Sequence, residues 1–354
     1  MKTINIGIIS FEHMHAFSYA QTFDNVSGAR LKAVAETDPN RMEQVKKHVE
    51  SLNCARDTEC GSGDTGNGEG KCAGVTYYHT YEALLDDPSI DAVVICTNNA
   101  DHRRVAEMAA ARGKHILCEK PLGPTIDDSQ AIIDAAKNAG IILMTAFPVR
   151  FSPAIAQARE MVQRGDLGRI VGACTSNHGS MPGGWFVENE KSGGGAVIDH
   201  TVHVVDVLRW IFDDEVESVY AEFGTRLHPH LKVEDVGQLL MRFNKGAIVS
   251  LDTSWSRPKS YSIWGDVKMS LKGEKANLTI NCFPRQINHF DDSKMRHDGS
   301  SMSEDLDKLM VQEFVDAVRE NRQPLVTGED GLKAVEIALA AYDANKMQKA
   351  EALS

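Results

Sequence analysis

No run of this sequence comes near eighteen uninterrupted apolar residues, so a membrane-spanning helix is not expected. The opening MKTINIGIIS has neither a basic start nor a small-residue cleavage site, which makes export unexpected and a cytoplasmic location the natural reading. Positive charge is in short supply: 38 basic residues face 50 acidic ones, a net charge of -12. Such a surface repels phosphate backbones and anionic membranes, and no basic patch offsets it, so neither nucleic acid nor membrane is an expected partner.

The chain also lacks an internal repeat, a low-complexity tail and a disulfide pattern. Its seven cysteines are odd in number and irregularly spaced. Cys96, Cys118, Cys174 and Cys282 lie in apolar, strand-like runs and read as reduced core thiols. Cys54, Cys60 and Cys72 fall in a polar, glycine-rich stretch, CARDTECGSGDTGNGEGKC, whose spacing matches no zinc arrangement. It reads as a surface insertion over about 54–72 that tolerates shortening, and no metal site is expected.

What is present is ordinary globular material. With 354 residues, 42% hydrophobic and 25% charged, the chain exceeds the size at which one core usually stops growing, and two domains are expected. Up to Cys118, strand-like runs (Ile4 to Ile9, Leu31 to Ala35, Val75 to Tyr78, Asp91 to Cys96, Lys114 to Cys118) alternate with helical ones. That alternation predicts a parallel, doubly wound sheet. A helix near Asp127 to Ala139 and a strand at Ile141 to Ala146 continue the pattern. From Ile170 to Ile280, runs such as VESVYAEF, VGQLLMRF and GAIVSLDTSW predict a large, mostly antiparallel sheet, interrupted by a helix from Ile198 to Phe212. Two helices close the chain. The domain boundary is placed at Leu122, giving 1–122 and 123–354.

A doubly wound sheet binds its ligand at the carboxyl ends of its strands, where glycines in the first turn normally let backbone amides approach a pyrophosphate. Here that turn reads GIISFEHMH, and Ser10, Glu12 and His15 stand where glycines would. A dinucleotide would have to be held differently around Ser10, Phe11 and the residues up to His15. The second strand ends at Glu36, a carboxylate placed to accept the hydroxyls of an adenosine ribose and repel a 2'-phosphate, or else a solvated acid at a strand end.

Three runs, VVICTNNADH, GKHILCEKPL and SGGGAVIDHTVHVVDVLRW, resemble in content, order and interval those of the glucose-fructose oxidoreductase and inositol dehydrogenase (Gfo/Idh/MocA) family. The likeness continues through RFSPAIAQAREMVQRGDLGRI to FVDAVRENRQPLVTGEDGL and spans the chain apart from 54–72. It implies an N-terminal Rossmann domain, a C-terminal α+β domain, a nicotinamide dinucleotide cofactor, and hydride transfer from a hydroxyl of a sugar or cyclitol; Glu36 favours NAD over NADP. By the same likeness Thr97, Asn99, His102, Glu119, Lys120 and Arg150 line the cofactor, Lys120, Asp199 and His203 are catalytic, and the Lys120–Pro121 bond is cis.

The residues themselves fit such chemistry. Asp199 and His203 are four apart on a helix whose apolar positions are Val202, Val205, Leu208 and Ile211, so both can share a face. Imidazole suits a general base near neutrality, and an amine at Lys120 would stabilise alkoxide-like charge. The alternative for His203 is a core histidine. Arg150, Trp185 and His200 are candidate substrate contacts beside Lys120, Asp199 and His203, with Asn177 and His178 just upstream; Trp185 either faces a sugar ring or packs on its own domain. Glu234-Asp235 and Asp213-Asp214 read as structural. Two other functions share the same residues: a glycoside-cleaving or epimerising enzyme that oxidises its substrate transiently, and a non-catalytic NAD or sugar sensor. A sheet of this size needs cover on its second face, which points to a homodimer or homotetramer.

Overall fold

The elements follow the expected alternation. β1 (Ile4–Ile9), α1 (His15–Thr22), β2 (Ala29–Ala35), α2 (Pro39–Glu59), β3 (Thr76–Tyr78), α3 (Tyr81–Leu85) and β4 (Ala92–Ile95) come first. α4 (His102–Ala110), β5 (His115–Cys118), α5 (Ile126–Ala139) and β6 (Leu143–Thr145) complete that series. Then come α6 (Pro153–Gln163), β7 (Ile170–His178), α7 (Asn189–Ser192), α8 (Ala196–Phe212), β8 (Val216–Gly224), β9 (Val236–Phe243) and β10 (Ile248–Ser254). β11 (Val267–Gly273), β12 (Asn277–Asn281), β13 (Arg285–Asp291), β14 (Arg296–Ser301), α9 (Leu306–Glu320), α10 (Gly328–Met347) and β15 (Glu351–Ala352) finish the chain. The structure, a computed structural model, describes residues 3–23, 25–59, 74–261, 266–283, 285–291, 296–301, 304–348 and 351–352. Cys60 and Cys72, with most of the expected insertion, lie outside the described residues.

The first sheet is parallel with strand order β3-β2-β1-β4-β5-β6. Its order reverses between β1 and β4, the point at which a doubly wound sheet opens a crevice for a ligand. All four residues of β4 are buried, as expected of a strand with helices on both faces. The second sheet runs β12-β11-β7-β10-β9-β8-β15 and is antiparallel except where β7 pairs in parallel with β10. In β9 burial alternates, with Leu239, Met241 and Phe243 inward and Gln238, Leu240 and Arg242 exposed. The inward set packs with α8 into a core that includes Val204, Val205, Leu208 and Ile211.

The chain divides into two units, but not by one cut after Leu122. The first unit comprises Met1–Leu122, Asp127–Ala146 and Asp307–Glu329, and the second Gly123–Ile126, Phe147–Leu306 and Asp330–Ser354. β6 belongs to the first sheet because it pairs in parallel with β5, Met144 beside Leu117. α9 returns to the same unit, where Asp307 accepts the Ser18 hydroxyl at 2.6 Å. Among the cysteines, Cys96, Cys118 and Cys282 are buried as expected, whereas Cys174 is exposed. The pleat of β7 turns Cys174 outward between buried Ala173 and Thr175.

Candidate active site

The glycine-poor first turn is closed by side chains. Ser10 has a φ of 65°, the left-handed conformation that glycine adopts most cheaply and that costs an L-residue about 1–2 kcal/mol. Glu36, fully buried at the end of β2, offsets this by bonding across the turn. Its Oε2 accepts the Phe11 amide at 2.8 Å and the Ser10 hydroxyl at 3.2 Å, and its Oε1 accepts the Asp38 amide at 2.9 Å and Arg41 at 3.2 Å. A carboxylate has about four acceptor positions, so ribose hydroxyls could bond Glu36 only if one of these contacts opened.

Beyond β4, Thr97 and Asn99 are buried, and Thr97 Oγ1 has no hydrogen-bond partner among the described residues. A buried hydroxyl left this way, at the carboxyl edge of a parallel sheet, fits a cofactor that supplies the missing partner. His102 turns inward instead. Its Nδ1 donates to the carbonyls of Pro121 at 3.0 Å and Leu122 at 3.3 Å, and burial lowers its pKa, keeping a neutral ring that braces the segment after the cis Lys120–Pro121 bond. Glu119 is fully buried and Lys120 nearly so. Glu119 accepts Tyr19 Oη at 2.6 Å and the Lys120 amide at 3.0 Å, and lies 3.0 Å from His15 Nδ1. Burial alone would raise its pKa, but His13, His15 and Lys120 hold the carboxylate well below its usual range.

In the second unit, the run Gly193-Gly194-Gly195 precedes α8 because side chains would not fit. A Cβ on Gly195 would stand 2.0 Å from the Glu234 carbonyl oxygen. Glu234 then caps the helix, its Oε1 accepting the Gly195 amide at 2.8 Å, the Val197 amide at 3.0 Å and Tyr342 Oη at 2.6 Å. Asp235 accepts the Arg226 amide at 2.7 Å, and the Leu227 amide at 2.9 Å, so both acids are structural. From Ala196 to Leu208 every residue of α8 is buried except Asp199 and His203, which are half-buried one turn apart. Asp199 accepts Trp255 Nε1 at 3.1 Å and lies 3.6 Å from His200 Nε2. His203 meets Phe147 edge to face, ring centres 5.9 Å apart.

The other candidates have partners within their own unit. Trp185 is buried and stacks on Phe186 at 3.9 Å, which is the packing alternative. Arg150 is buried in a bidentate pair with Asp206, Nε to Oδ2 2.9 Å, and reaches Asp330 at 3.2 Å. Asn177 donates to the His200 carbonyl at 3.2 Å, and His178 lies 3.1 Å from Asp252. Reasoning from sequence missed His13, Tyr19 and Trp255. The doublet His13-x-His15 was visible, but its partner Glu119 belongs to a different strand end.

Residues 4–147 match the oxidoreductase family with an NAD-binding Rossmann fold, and residues 155–279 match the GFO/IDH/MocA C-terminal domain. The chain is 30% identical over 292 residues to 1,5-anhydro-D-fructose reductase of Ensifer adhaerens, covering 79% of this chain and 83% of that protein. It is 27% identical over 329 residues to scyllo-inositol 2-dehydrogenase (NAD(+)) of Bacillus subtilis (strain 168), covering 90% and 86%. A levoglucosan dehydrogenase solved with NADH and L-sorbose superposes with a TM-score of 0.80 at 21% identity, covering 100% of both chains, which shows the shared fold. The protein belongs to the Gfo/Idh/MocA family: it is an oxidoreductase with an NAD-binding Rossmann domain. Among the described residues, no helix is long and apolar enough to cross a membrane.

Proposed function

We propose that this protein is an NAD-dependent dehydrogenase that interconverts a secondary hydroxyl and a keto group on a sugar, sugar derivative or cyclitol. The observation that carries the reading is α8, which is buried along its first three turns except at Asp199 and His203. A carboxylate and an imidazole partly exposed together on an otherwise buried helix suit proton transfer. Relatives named for 1,5-anhydro-D-fructose and scyllo-inositol support a polyhydroxylated ring as substrate.

Bound at the carboxyl edge of the first sheet, NAD would supply the hydride acceptor. Thr97, Asn99 and the Ser10-Phe11 turn would hold it, with Glu36 disfavouring a 2'-phosphate by charge. Lys120 donates a hydrogen bond to the substrate oxygen and stabilises the alkoxide-like charge that builds as the bond to hydrogen breaks. His203 takes the hydroxyl proton. Asp199, fixed by Trp255, sets the polarity around the imidazole, and His200 beside it contacts substrate. Glu119 and His102 hold the Lys120 backbone in place.

The exposed Leu240 and Ile248 on the outer face of the second sheet support a homodimer or homotetramer, and the unpaired thiols Cys96, Cys118, Cys174 and Cys282 support the reducing cytoplasm. The deciding experiment is a panel of sugars and cyclitols offered with NAD and NADP separately, read by NADH absorbance beside a product assay. The expected result is NADH formed in step with a keto product, faster with NAD. Release of a free sugar or an inverted stereocentre without net NADH would replace the reading with transient oxidation.

A further inference from the structure

The described part of the first unit holds one set of side chains arranged like metal ligands. His13, His15 and Glu119 each offer one ligand atom, and these atoms lie within 4.8 Å of one another. His15 Nδ1 is 3.0 Å from Glu119 Oε1 and His13 Nε2 is 3.8 Å from Glu119 Oε2. Zinc bonds nitrogen and oxygen at about 2.0–2.2 Å, so tetrahedral ligands stand roughly 3.4 Å apart. The 3.8 and 3.0 Å separations, to the two oxygens of Glu119, lie on either side of that value, and the whole set, bounded at 4.8 Å, closes on one ion by side-chain rotation.

From this geometry we infer that His13, His15 and Glu119 form a binding site for one divalent transition-metal ion, with zinc the first choice. Two imidazoles and one carboxylate are the ligands of a borderline ion and leave a fourth position for water or a substrate oxygen. Burial favours the same assignment. His13 is 1% exposed and Glu119 0%, while His15 at 16% gives an ion a way in. The surroundings supply outer contacts: Tyr19 Oη donates to Glu119 Oε1 at 2.6 Å and the Lys120 amide to Oε2 at 3.0 Å, leaving the carboxylate other lone pairs for the metal. Ligation through His13 Nε2 places the ring proton on Nδ1, so the 3.2 Å bond that Nδ1 accepts from the His15 amide opens when the ion enters. The ion would cross-link the first turn to the end of β5, a turn without the usual glycines. The inference does not depend on the proposed dehydrogenase reaction, although the first turn and Glu119 also serve the site proposed for it.

The test is metal binding by the full chain, stripped with a chelator and titrated with Zn(II) under calorimetry, with metal content measured after dialysis. One equivalent is expected. His15→Asn and Glu119→Gln should each weaken binding by at least the about 10- to 100-fold seen on losing an outer-shell partner. Replacing Cys54, Cys60 and Cys72 together by serine should leave it unchanged. Because a ligand variant can fail to fold, Co(II) bound to the unaltered chain is a second readout, expected to give visible bands without thiolate charge transfer. Failure of the unaltered chain to retain zinc, full affinity in a folded ligand variant, loss in the cysteine variant, or a thiolate band would each overturn the assignment.

Discussion

Glu36 accepts the amide hydrogen of Phe11 across the first turn at 2.8 Å. A strand-end carboxylate that sequence places against a ribose is thus also the clasp of the turn that lacks glycine. Glu36→Ala leaves the Phe11 and Asp38 amides without their acceptor, and each such loss costs about 1–3 kcal/mol. Thermal unfolding of the variant should move well below that of the parent. The variant should also discriminate less against NADP, measured by kcat/KM with each cofactor. An unchanged midpoint would contradict the clasp, and unchanged selectivity would remove Glu36 from cofactor choice.

Lys120→Ala and His203→Gln remove the proposed hydrogen-bond donor and base. Turnover should fall by about 10²- to 10⁴-fold, the range for losing an acid-base group, with NAD affinity by fluorescence titration nearly intact. Full activity in either variant would refute its assigned role.

Arg150 shares a buried pair with Asp206. Arg150→Leu strands that carboxylate, and breaking a buried pair from one side costs about 3–5 kcal/mol. Chemical denaturation should register this loss. If stability holds while KM alone rises, Arg150 is a ligand contact rather than a tie between α8 and Asp330.

Burial raises the pKa of Glu234 above its usual 4.5, although Tyr342 and the Val197 and Gly195 amides oppose the shift. A folded-state pKa above the unfolded one means that the folded chain holds the proton longer. This stabilisation is fully present below 4.5 and is lost as pH rises through the raised value. Glu234→Gln cannot titrate. The stability of the parent relative to this variant should therefore be greatest in acid and decline toward neutrality, measured by urea midpoints across pH. An equal slope in both proteins would place the titration elsewhere.

Much of the fold was legible from Ile4 to Cys118, where apolar runs alternate with amphipathic ones and only a parallel sheet buries both faces of strands such as β4. The change of period after Ile170 announced the antiparallel sheet, and the spacing of Asp199 and His203 announced their shared helix face. The division into units was less legible. The alternation runs on through Ile141 to Ala146, so β6 beside β5 follows the local pattern past the cut placed at Leu122, whereas α9 joins the first unit through contacts with the far end of the chain, and no local pattern records that.

Residue order alone determined which segments are strands and helices, because side-chain periodicity decides which face of each can leave water. It also placed a carboxylate at the end of β2 and an imidazole on α8. Only the folded chain decided what those groups touch: that Glu36 spends its lone pairs on the turn, that Trp185 lies against Phe186, and that His15 meets Glu119 from 104 residues away. A buried polar atom must find its partner in space, and the partner comes from whichever strand end the sheet order brings beside it.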